Sequence, residues 1–196
     1  ARGGGEIASV AVRIARATTG RDVVAICGYH GWADCYIAVN LGETADMRGK
    51  VLEGMCPDGV PEALRATTVG FNFDSFEEFD RIIAQYGHRL ACVMIETARS
   101  SDPAPGFMEH VRAETRRVGA LMIMDEITVG WRNNHGGYHL KLGVTPDMAI
   151  FGKCLGNGHP ISAVIGTAAA MEGANRAFIS STYWTESVGP TAALVA

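Results

Sequence analysis

No stretch of this 196-residue sequence approaches the ~18 consecutive apolar residues that a membrane-spanning helix needs, and its start lacks the charged-then-apolar layout of a secretory leader. Membrane insertion and export are therefore not expected. Basic residues are few, 17 against 21 acids, and scattered rather than blocked, so the formal charge of −4 offers no footprint for nucleic acid. No CxxC spacing exists. The five cysteines (Cys27, Cys35, Cys56, Cys92, Cys154) form an odd set, mostly in or beside apolar runs, as reduced core thiols do, which predicts a cytosolic setting. His135 and His139 are four apart, but Gly136-Gly137 denies them a common helix and no third ligand has zinc spacing, so no metal is expected. Repeats, low-complexity tracts and internal boundaries are also missing, which leaves one domain.

What is present is an α/β pattern, 47% hydrophobic and 19% charged with 24 glycines. Short apolar runs at 23–27, 91–95, 121–124 and 148–151 predict buried strands, and 161–166 predicts a strand returning antiparallel after the GNGHP turn. Between them lie amphipathic helices: one after Gly3-Gly4-Gly5 ending at Gly20, one from Asp74 or Ser75 to about Tyr86, one over 107–118, and one over 168–177. Strand, helix and strand with short joins make the crossover unit of a parallel sheet. The Gly- and Pro-rich connection 41–67 has no sustained period and reads as a functional or partner-facing loop.

The strand ends carry the chemistry. Residues 121–124 deliver Asp125 and Glu126, and 148–151 deliver Lys153. In an open parallel sheet the carboxyl ends converge on one crevice, so acid and amine meet there. Three readings compete. An apolar strand ending in Asp-Glu resembles a Walker B motif, but the phosphate loop GxxxxGK(S/T) that should accompany it is absent: Gly152-Lys153 is followed by Cys154 and has Asp147 where the first glycine belongs. A buried Asp125–Lys153 ion pair is a structural alternative, although desolvation makes such pairs weak stabilisers and the glycine turns stay unexplained. The third is a pyridoxal phosphate site. Lys153 supplies the amine that forms an imine, Asp125 keeps the pyridine nitrogen protonated, Gly4-Gly5 at a helix start take the phosphate, and Tyr29 covers the ring.

The segments GGGEIASVAVRIARATTGRD, CGYHGWAD, IMDEITVGWR, PDMAIFGKCLGNGHPISAVIG and STYWTESVGP, in this order, resemble the class III, fold type I, pyridoxal phosphate-dependent aminotransferases, and most closely their glutamate-1-semialdehyde aminomutase branch. The resemblance implies a fold type I large domain: a mostly parallel sheet with one antiparallel strand and helices on both faces. It implies that residues 1–196 are that cofactor-binding domain, cut at both ends, with the C-terminal small domain absent. Lys153 matches the lysine that binds the cofactor as an internal aldimine and moves protons, and Asp125 matches the pyridine-nitrogen partner. Ile127 matches the aliphatic residue on the ring face opposite Tyr29. Gly4 and Gly5 match the phosphate loop, where the usual hydroxyl residues are replaced by glycine. His30 belongs to the same cofactor turn. Glu96 matches an acid near the ring hydroxyl, although Thr97-Ala98 replace the common continuation. Thr185, with Thr182 as rival, matches the threonine that reaches the neighbouring subunit's phosphate, which implies a homodimer with shared active sites. The implied reaction moves an amino group from an amino acid or amine to a carbonyl acceptor, or within one molecule as in the aminomutase.

Overall fold

The computed structural model describes residues 1–41, 54–181, 183 and 185–196. Among these residues six strands form one sheet: β1 (Val23–Cys27), β2 (Thr68–Gly70), β3 (Leu90–Glu96), β4 (Leu121–Asp125), β5 (Met148–Phe151) and β6 (Ala163–Gly166), in the spatial order β2-β1-β3-β4-β5-β6. All neighbours pair in parallel except β5 with β6, which are antiparallel. The central strands are continuous apolar runs because helices bury both of their faces.

Alternation along each strand assigns side chains to the two faces. Val24, Ile26, Cys92, Met94, Ile123 and Ile150 meet α1 (Gly4–Thr19), which lies alongside α6 (Ala168–Arg176). The α1–α6 crossing needs a glycine, since a Cβ at Gly173 would stand 2.4 Å from the carbonyl oxygen of Ile14. Val23, Ala25, Val93, Ile95, Met122 and Met124 face the other way, onto α3 (Phe76–Tyr86) and α4 (Phe107–Arg117) through Phe79, Ile83, Phe107 and Val111. Short helices α2 (Asp34–Ile37) and α5 (His139–Leu142) and the terminal α7 (Val188–Val195) are the remaining α-helices among the described residues.

The helix stops and starts obey local chemistry. Gly20 ends α1 in the left-handed region (φ 69°), and the Ser75 and Thr167 side chains cap α3 and α6 by accepting amide bonds from Glu78 and Ala170. Two details differ from the sequence reading. Gly4 and Gly5 belong to the first turn of α1, with Gly3 as its N-cap, so the glycine run is the helix start and not a loop before it. The edge strand β2 is three residues long, too short to show a period. Of the 41–67 connection, residues 42–53 lie outside the described residues.

All five cysteines are unpaired, and burial raises the thiol of Cys92 to about 12. Among the described residues no helix is long and apolar enough to cross a membrane.

Candidate active site

Parallel register brings the functional ends level: Cys27 pairs with Ile95, Glu96 with Asp125, and Asp125 with Ile150. The turns that leave these strands therefore open on one crevice at the carboxyl edge of the sheet.

The turn after β1 is fixed from four sides. The Gly28 carbonyl accepts from the Tyr36 hydroxyl at 2.8 Å, and the Tyr29 amide donates to Glu96 Oε2 at 3.1 Å. The His30 ring is buried and reaches Asp125, while Gly31 backs onto the start of α1, where an added Cβ would lie 2.5 Å from the Cα of Gly5. Gly28 and Gly31 both have φ 104°, a region that glycine alone enters freely. Tyr29 thus stands half-exposed at the crevice, its ring edge-on to Tyr36 at 5.9 Å.

Asp125 is 4% exposed and doubly held. Its Oδ1 accepts the Ile127 amide at 2.9 Å, and its Oδ2 lies 2.8 Å from His30 Nδ1. His30 Nε2 lies 3.2 Å from the Cys27 carbonyl, so the ring stands between two acceptors, and a neutral ring donates to one of them. Each carboxylate oxygen keeps a spare lone pair, so Asp125 can still accept from a ligand.

Lys153 comes after Gly152 at the end of β5 with φ 42°, the left-handed region that a lysine seldom occupies. Strain of this kind persists where the surroundings demand it and clusters at functional sites. Its Nζ donates to the Thr128 hydroxyl at 2.8 Å. Asp125 and Lys153 form no ion pair with each other, which removes the structural alternative for the two residues.

These groups line one cavity of about 760 Å³, into which Gly4, Gly5, Tyr29, His30, Asp125, Ile127 and Lys153 all open. Gly4 packs on the Ile127 side chain, where an added Cβ would stand 3.1 Å from Cδ1. At the α1 end Gly3 offers no side-chain cap, so the first amides of the helix remain available to an anion. An amine, a buried carboxylate, a half-exposed aromatic ring and an uncapped helix start are a donor set that fits a phosphorylated aromatic aldehyde.

Glu96 does not line the cavity. It lies behind the turn, holding the Tyr29 amide and meeting Arg99 at 3.3 Å, and burial raises its carboxyl above the ordinary range. Thr185 is exposed and is not part of the lining; Thr182 lies outside the described residues.

The family model Aminotransferase class-III matches residues 1–196. The chain belongs to the class-III aminotransferases. It is 31% identical to a 3-aminobutyryl-CoA aminotransferase of Cloacimonas acidaminovorans over 97% of its own length and 44% of the relative's. It is 34% identical to a glutamate-1-semialdehyde 2,1-aminomutase of Syntrophus aciditrophicus, over 86% of this chain and 39% of that protein. An omega-transaminase of Sphaerobacter thermophilus superposes with a TM-score of 0.84 at 30% identity, covering 98% of this chain and 47% of the other. A transaminase with PLP bound gives the same TM-score, 0.84, at 28% identity, over 99% and 47%. The chain spans less than half the length of the relatives it matches, and its fold is that of these transaminases.

In this class-III aminotransferase chain several site residues escape a reading of the sequence alone. Thr128 meets Lys153, yet no spacing rule joins positions 25 apart. Tyr36 holds the turn through its hydroxyl; the available signal is a turn whose carbonyls need an outside donor. Arg2 and His159, which also line the cavity, lie in segments that read only as a chain start and a turn.

Proposed function

We propose that this chain is the cofactor-binding domain of a pyridoxal phosphate-dependent enzyme that moves an amino group between an amino acid or amine and a carbonyl compound, with intramolecular transfer as the near variant. The observation that carries the reading is that Lys153 and Asp125 enter one cavity from two strand ends, unpaired with each other, with the Tyr29 ring on its wall. When bound there, pyridoxal phosphate supplies an electron-withdrawing ring that stabilises negative charge at a substrate carbon.

The chain's own residues divide the work of holding it. Asp125, oriented by His30 and the Ile127 amide, keeps a negative charge turned to the ring nitrogen. Ile127 and Tyr29, both in the cavity lining, would bound the ring's two faces, and the Gly4 and Gly5 amides at the start of α1 would take the phosphate. Lys153 Nζ, whose position the Thr128 hydroxyl fixes, would hold the aldehyde and, when free, would take and return a proton. Glu96 acts from behind, through the Tyr29 amide. Thr185, exposed and away from its own cavity, is the residue that would complete the partner's site in a homodimer. Five unpaired cysteines fit the reducing cytosol.

The test is colour. The full-length protein should turn yellow with pyridoxal phosphate, and Lys153→Ala should abolish the band that borohydride fixes in the wild type. An amino donor added alone should bleach it and release a keto product from a transaminase, or return an isomer from a mutase. A wild-type protein that stays colourless would overturn the proposal.

A further inference from the structure

We propose that Arg2 is the counter-charge of the cofactor phosphate, a role it takes by exchanging its present partner, Glu186, for phosphate oxygens. The inference rests on the reading of the cavity as a pyridoxal phosphate site.

A phosphate monoester carries about −1.5 to −2 at neutral pH, whereas a helix N-terminus offers the equivalent of roughly +0.5. The run Gly3-Gly4-Gly5 adds no side-chain donor, and Gly3 is bare without steric need, since a Cβ there would meet nothing within 4 Å. The cavity also presents two carboxylates of its own, Glu6 and Asp125. Backbone amides alone leave that balance negative. Lys153 is positive but is held at the far strand end by Thr128, which leaves Arg2 as the permanently charged side chain beside the first turn of α1.

A cation at a helix N-terminus stands at the wrong end of the dipole unless an anion joins it. Arg2 has one, but loosely. Its NH2 group meets Glu186 Oε2 at 2.8 Å, with both side chains about a quarter exposed, and the second oxygen of Glu186 turns instead to the Gly189 amide at 3.1 Å. Arg112 and Asp147 show the contrasting case, two parallel bonds in a pair that also holds the Met122 amide. A single-point, part-exposed pair is a weak stabiliser, so a dianion can displace it. The guanidinium itself is well fixed: NH1 donates to the Pro160 carbonyl at 2.8 Å and lies 2.7 Å from His159 Nε2, and the group stacks 3.9 Å from the centre of the Tyr183 ring. Among the described residues Nε has no partner. The Nε and NH2 edge is the one that binds an oxyanion side-on, and only Glu186 has to leave it.

Titrating the full-length apoprotein with pyridoxal phosphate, with pyridoxal, and with inorganic phosphate by calorimetry tests the assignment. Arg2→Gln should weaken pyridoxal phosphate about tenfold, as loss of a charge-assisted contact does, weaken inorganic phosphate in parallel, and leave pyridoxal unchanged. Arg2→Lys should restore part of the loss, and Glu186→Gln should tighten both phosphate ligands. Equal loss for pyridoxal and its phosphate would make Arg2 a wall residue and overturn the proposal. Unchanged cofactor affinity, with KM raised only for donors that carry a second carboxylate, would give Arg2 to the substrate and overturn it equally. A wild type that binds inorganic phosphate through Arg2 yet never turns yellow would break the cofactor reading instead.

Discussion

Asp125 and Glu126 are neighbours at the end of one strand, both nearly inaccessible at 4% and 1%, and each lies 2.8 Å from a histidine Nδ1. Strand alternation sends them apart. Asp125 continues the face of Ile123, toward α1 and the cavity; Glu126 continues the face of Met122 and Met124. There it accepts from the Tyr138 amide, the His139 amide and the His139 ring, at 2.9, 2.9 and 2.8 Å. Burial works to raise the Glu126 carboxyl, but those bonds together outweigh it and hold the group below the usual carboxylate range. Asp125 has one bond at each oxygen and faces a cavity. The acid that ties down a loop is saturated by its own chain, and the acid that faces the cavity keeps capacity in reserve.

Exchanging the two roles by mutation should show the difference, and the largest effect falls on Asp125. Asp125→Ala should lower turnover by about 10²–10³-fold, the size of losing one preorganised charge in a site, while the protein still folds and takes up some cofactor. Steady-state kinetics beside a melting curve checks this, and unchanged turnover would remove Asp125 from the chemistry. Glu126→Gln should act the other way, destabilising by about 2–3 kcal/mol because one Gln cannot accept from all three donors. The sign of the pH dependence is fixed by the lowered pKa. A carboxyl of this kind contributes stability above its unfolded value of about 4.3, and that contribution is lost as pH falls through the folded pKa. The stability gap between wild type and Glu126→Gln in urea should therefore be full at neutral pH and close below about pH 4. A gap constant down to pH 3 would mean that the charge of Glu126 is not what holds the loop.

Much of this comparison is legible in the sequence, for a physical reason. Runs such as 23–27 and 148–151 are strands in the same bounds as read, because only buried parallel strands are apolar at every position. Once the strands are placed, their ends must share an edge, and that carries Asp125 and Lys153 to one cavity. Partnership stays hidden. His30 and Asp125 are 95 residues apart, Tyr29 and Glu96 are 67 apart, and both contacts depend on sheet register that a linear pattern does not encode. The two-residue acid motif is ambiguous for the same reason: Asp-Glu spells a nucleotide site or a split pair equally well until the fate of each side chain is known. The run Gly3 to Gly5 misleads about shape because glycine is a poor helix former, yet tertiary contact with Gly31 and Ile127 overrides that preference.

The smallest expected effect lies on the cavity side at Tyr29, and it tests whether that face acts on the ligand and not on the fold. The ring is 39% exposed and contacts Tyr36 only edge-on, so its removal opens no core cavity. Its amide bond to Glu96 is made by the backbone and survives truncation. Tyr29→Ala should therefore leave the melting temperature within about 2 °C, as a change of a few tenths of a kcal/mol does, while loosening the cofactor by about 1–2 kcal/mol through lost stacking and apolar contact. Tyr29→Phe, which keeps the ring face, should bind the cofactor as the wild type does. A dissociation constant untouched by Tyr29→Ala would take the ring off the cavity wall. A large drop in melting temperature would place Tyr29 with Glu126, among the residues whose work is to hold the chain.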